Sequence, residues 1–103
     1  MAGANVIILY PRKEGSTFNK EYYINSHMPL CEKIWKKHGM KSWVLTELNA
    51  DGPYLYSLVM DWESHEAFGK GMQDPGVKEL MDDLKNYYTE PPVLVHGGVV
   101  GSA

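Results

Sequence analysis

The sequence predicts one α+β domain with the element order βαββαβ. Three observations carry this reading. Four short runs are rich in β-branched and aromatic residues, two longer stretches repeat apolar residues every three or four positions, and a turn-rich segment joins the second and third runs as a hairpin. A length of 103 residues suits one domain, with an ordered core expected over residues 5–100.

The first run, Asn5 to Pro11, is nearly continuous in apolar residues, as a strand covered on both faces reads. Pro11 stops it. From about Thr17 to His38 the pattern is helical, with Ser16 or Thr17 as its expected cap. Tyr23, His27, Leu30, Ile34 and His38 fall on one stripe, and Lys33, Lys36 and Lys37 face outward near the negative end of the helix dipole. Pro29 interrupts this helix. It has no N–H, so the Asn25 carbonyl is expected to lose its partner and the helix to kink.

Lys41–Leu48 reads as the second strand and Tyr54–Trp62 as the third, joined through Asn49-Ala50-Asp51-Gly52-Pro53. Ser64 is placed to cap a second helix through Phe68 and Met72, which Asp74-Pro75-Gly76 breaks before a further helical piece through Leu84. Val93–Val100 closes the order as the last strand. A βαββαβ chain folds as an antiparallel sheet with both helices on one face, the ferredoxin-like arrangement. The other face is also apolar, so a second copy of the chain is expected to cover it.

Composition narrows the function. About 44% hydrophobic and 22% charged residues describe a globular chain. A net charge of −3 without a basic patch argues against nucleic acid. Val6–Tyr10 is too short an apolar run for a leader peptide or a membrane span, so a cytoplasmic protein that does not enter the membrane is expected. The one cysteine, Cys31, allows no internal disulfide and reads as a small buried hydrophobe. No Gly-rich phosphate loop or metal-ligand spacing occurs, so neither a cofactor nor a metal is expected.

Tyr22-Tyr23, then His27-Met28-Pro29-Leu30 inside a helix, the stretch Trp62-Glu63-Ser64-His65-Glu66-Ala67-Phe68, and the closing Pro92–Val99 strand together resemble the EthD family over nearly the whole chain. A proline within a helix makes the His-Met-Pro-Leu run the more specific part. The resemblance implies a dimeric α+β barrel with a pocket between helices and sheet in each subunit. The wider superfamily includes cofactor-independent monooxygenases and polyketide cyclases, and the family takes its name from an accessory protein of an ether-degradation system.

His27 is the leading catalytic candidate. A partly desolvated imidazole favours its neutral form and can act as a base near neutral pH. The alternative is a core histidine satisfied by a neighbour. Tyr23 shares its stripe and could hold a substrate oxygen, or simply fill the core. Tyr22, Leu30, Ile34, Trp62 and His96 are candidates to line a substrate pocket, His96 beside the strand-weakening Gly97 and Gly98. Asp61 is a conceivable partner for His27. Asp82-Asp83 reads as a solvated helix face. The expected ligand is a small hydrophobic carbonyl or aromatic molecule, polyketide-like, handled by acid–base cyclisation, dehydration or isomerisation. A cofactor-free monooxygenase and a non-catalytic metabolite-binding or accessory protein are the alternatives.

Overall fold

The computed structural model describes residues 3–103. The chain runs as strand β1 (Ala4–Pro11), helix α1 (Lys20–Tyr22), a π-helical turn (Tyr23–His27), helix α2 (Met28–Trp35), a 3-10 turn (Lys36–His38), strands β2 (Met40–Glu47) and β3 (Tyr54–Trp62), helices α3 (His65–Gly71) and α4 (Val77–Asp82), a 3-10 turn (Leu84–Asn86), and strand β4 (Val93–Gly98). The four strands form one antiparallel sheet in the order β2-β3-β1-β4. This is the α+β, ferredoxin-like architecture.

Side chains alternate along each strand, and the alternation assigns the faces. Val6 and Tyr10 of β1 and Tyr56, Leu58, Met60 and Trp62 of β3 are buried beneath the helices. On the opposite face, Val44, Val59, Ile7 and Val95 fall in one row across all four strands. That row stays open, with Val44 60% and Val95 46% exposed.

The first helical stretch differs from expectation in two ways. Its cap is Asn19, whose side chain accepts from the Tyr22 N–H, rather than Ser16 or Thr17. The break at Pro29 is not a simple kink. The chain inserts one wide π turn, in which the Met28 N–H reaches back to the Tyr23 carbonyl, and Pro29 then sits in the first turn of α2, where a missing N–H costs least. Gly39, at φ 114°, ends the element in a left-handed conformation. Ser64 caps α3 through the Ala67 N–H, as expected.

The second helical region approaches the sheet closely at Gly71. A β-carbon there would sit 2.7 Å from Trp62 Cη2, and the Gly71 carbonyl accepts from Trp35 Nε1. After α4, the chain is strapped to the segment before α1. Phe18 and Tyr88 form an antiparallel bridge, the Asn19 N–H donates to the Tyr87 carbonyl, and the Thr17 N–H donates to Thr89 Oγ1. The strap presses Tyr87 and Tyr88 into the core. Among the described residues no helix is long and apolar enough to cross a membrane.

Candidate active site between helices and sheet

The π turn delivers both Tyr23 and His27 to the interior, leaving Ile24, Asn25 and Ser26 outside. His27 is buried, and its ring lies 5.1 Å from that of Tyr23 and 4.6 Å from that of Tyr87. The imidazole partner is not Asp61 but Asp83. His27 Nδ1 and Asp83 Oδ2 are 2.9 Å apart. Asp83 is held in turn at its other oxygen, which accepts from Tyr22 Oη at 2.6 Å and from Asn86 Nδ2 at 2.8 Å.

This arrangement settles the tautomer. Burial raises the Asp83 pKa, but hydrogen bonds from Tyr22, Asn86 and His27 outweigh it and hold the carboxyl below its ordinary value. An ionised carboxylate only accepts, so His27 Nδ1 carries the proton. Burial pushes the His27 pKa down, against the upward pull of its bond to Asp83 and of the Asp83 charge. The ring is therefore neutral at pH 7, with Nε2 as a bare acceptor and no protein partner for it among the described residues.

Beside His27 lies a cavity of about 150 Å³. Its floor is the sheet, through Ile8, Tyr10, Leu58 and Leu94, and its walls come from α2 (Cys31, Trp35) and from the stretch Leu80 to Pro92. The lining is almost wholly apolar. The lining residues with polar side-chain atoms are His27, Cys31, whose thiol burial pushes up to about 12, Trp35, already bonded to Gly71, Tyr10 and Tyr87.

Of the seven residues expected at the site, only His27 lines this cavity. Tyr23 is fully buried behind it, its hydroxyl 3.0 Å from that of Tyr10. Tyr22 serves the carboxylate of Asp83. Ile34 packs on the turn at Gly76, and Leu30 lies against the core. Trp62 is fully buried between Trp35 and Phe68. His96 is on the exposed edge strand, its Nδ1 2.8 Å from His65 Nε2. Asp61 is on the far face of the sheet, level with Asn5 and Ser42.

Asp83 corrects the reading of Asp82-Asp83 as a solvated pair. Asp82 is exposed and pairs with Lys78, whereas the Asp83 side chain is only 13% exposed. The sequence did contain a signal, since Asp83 and Asn86 are three apart on one helical face and bond to each other. Nothing local tied them to His27, 56 residues away. Among the described residues no three His, Cys, Asp or Glu side chains gather as metal ligands would.

An EthD-like protein from Ralstonia eutropha JMP134 superimposes with a TM-score of 0.84 at 23% identity, over 100% of this chain and 96% of that one. The chain has the EthD-type fold. A second protein of this fold, an ethyl tert-butyl ether D (EthD) family protein from Bacillus halodurans C-125, gives 0.73 at 22% identity, over 95% and 99% of the two chains. A variant of SnoaB, a cofactor-independent oxygenase from Streptomyces nogalater, gives 0.70 at 13% identity, over 99% and 97%. No protein-family model matches the sequence, and no curated protein does. The EthD-type fold is thus shared at low identity, and the chemistry must be argued from the site.

Proposed function

We propose that the protein is an enzyme that moves a proton on a small hydrophobic carbonyl compound, using His27 as base and Asp83 to position it. The observation that carries this reading is the bond between His27 Nδ1 and Asp83 at the wall of an apolar cavity. A neutral imidazole with a free Nε2 takes a proton from the carbon next to a carbonyl. The C–H electrons form a C=C bond, and the carbonyl π electrons move onto oxygen. The imidazolium so formed is stabilised by Asp83 and returns its proton to the same carbon or to another, which makes the outcome exchange, isomerisation or the first step of a cyclisation or dehydration. Proton transfer of this kind needs neither an oxidant nor a cofactor.

The test is direct. In D2O the protein should speed incorporation of deuterium next to the carbonyl of cyclohexanone, followed by NMR. His27→Ala should remove about two to four powers of ten of that rate while keeping its fold. An unchanged rate in the variant would refute the assignment.

The likeness to SnoaB supports a second reading, a cofactor-free oxygenase acting on an electron-rich ring. Oxygen consumption on mixing with dihydroxybenzenes or anthrone-type compounds would separate the two. Under either reading the guest is small, because an apolar hollow of about 150 Å³ takes roughly one benzene ring. We further infer that the protein forms a homodimer through the uncovered sheet face, where the row Val44–Val59–Ile7–Val95 offers a second copy a matching apolar surface.

A further inference from the structure

The cavity wall carries a hydroxyl group with a proton to spare. Tyr10 Oη lies 3.0 Å from Tyr23 Oη and 3.3 Å from Tyr87 Oη. Burial keeps all three phenols protonated at neutral pH. Three protons therefore serve two hydrogen bonds, and one O–H is left over. Where it lies is a matter of cost. Were it on Tyr23, which is fully buried and off the cavity wall, the donor would have nothing to bond, at a penalty of about 1–3 kcal/mol. Either hydroxyl of this pair can donate, and donation from Tyr23 to Tyr10 avoids that cost. The spare proton then belongs to Tyr10 or Tyr87, and both line the cavity.

We propose that the Tyr10–Tyr87 hydroxyl pair is the anchoring site for the oxygen of a bound carbonyl compound. Their mutual bond, at 3.3 Å, is the longer of the two and the easier to exchange for a bond to a ligand. Once exchanged, both hydroxyls donate to the ligand oxygen while Tyr10 still accepts from Tyr23. The ring of Tyr87 lies 4.6 Å from that of His27. An oxygen held at this pair places the neighbouring carbon on the His27 side of the cavity. The site thus selects a one-ring ketone, or the enol derived from it, over a hydrocarbon of the same shape. Of the other polar groups on the walls, Trp35 Nε1 is already used, His27 Nε2 only accepts, and the protonated Cys31 thiol is a weak donor.

This inference rests on the acid–base reading only for the identity of the reacting atom, and its test needs no turnover. Cyclohexanone binding is measured by calorimetry and by the infrared carbonyl stretch, with methylenecyclohexane as the apolar counterpart. In the wild-type protein the stretch should fall below its value in hexane. Tyr87→Phe should move it back towards that value and weaken cyclohexanone about tenfold, with methylenecyclohexane unaffected. Tyr23→Phe should leave the stretch lowered. If Tyr87→Phe does not fold, Tyr10→Phe takes its place with the same expectation. A wild-type stretch at the hexane position, no cyclohexanone binding at millimolar concentration, or a lowered stretch that survives in both Tyr10→Phe and Tyr87→Phe overturns the proposal. Deuterium exchange without a lowered stretch would remove the anchor and leave the base. A lowered stretch without exchange would do the reverse.

Discussion

At the scale of single residues, Asp83 decides what His27 can do. A histidine alone against an apolar wall would be a neutral ring with no fixed orientation. The bond to Asp83 selects the tautomer, and Tyr22 and Asn86 lock the carboxylate that selects it. Asp83→Asn keeps the shape and loses the charge that stabilises an imidazolium. We expect it to fold and to lower the exchange rate by about tenfold or more. The same pair predicts a pH dependence of stability. The His27 pKa is below its unfolded value of 6.5, so below that pH the unfolded chain binds the proton more readily. Stability should fall as pH drops from about 6.5, and fall further below 3.8 as protons compete for Asp83. Denaturant midpoints measured from pH 8 to 4 should show the first decline. His27→Gln should flatten the part that begins near 6.5.

At the scale of elements, the π turn sets the geometry of the site. It adds one residue to a helical turn, and the residues before it are thereby rotated by about 100° relative to α2. Deleting the exposed Ser26 would restore a regular helix. We expect circular dichroism to show unchanged helix content, and deuterium exchange to be lost as Tyr22 rotates away from Asp83. Gly71→Ala tests the neighbouring contact. Its new methyl meets Trp62 at 2.7 Å, and about 1–3 kcal/mol of stability should be lost in a thermal melt. The elements themselves were legible. Tyr54–Trp62 was read at its observed bounds, and Pro29 announced an irregular helix. What Pro29 could not announce is the form of the irregularity, because a kink and a π turn both satisfy a missing N–H. The site was legible only at His27. Most of the wall comes from residues 80–94, which the sequence shows only as a helical piece and a closing strand, and the link between His27 and Asp83 exists only after the chain folds back on itself.

At the scale of the whole molecule, the sheet has one face under helices and one with an apolar row in the open. Placing a charge in that row should separate a dimer without unfolding the subunit, provided the position is already exposed. Val44→Asp and Val95→Asp meet that condition. Sedimentation should find dimers for the parent and monomers for the variants, with circular dichroism unaltered. The origin of the cavity walls has a different consequence. His27, Cys31 and Trp35 are on the first half of the chain, while Leu80, Met81, Leu84, Tyr87, Pro92 and Leu94 form one later stretch. Exchanging that stretch between proteins of this architecture, with Asp83 retained, would hand one reaction a new guest. On the proposed reading, reactivity and preference would then prove to be separable cassettes.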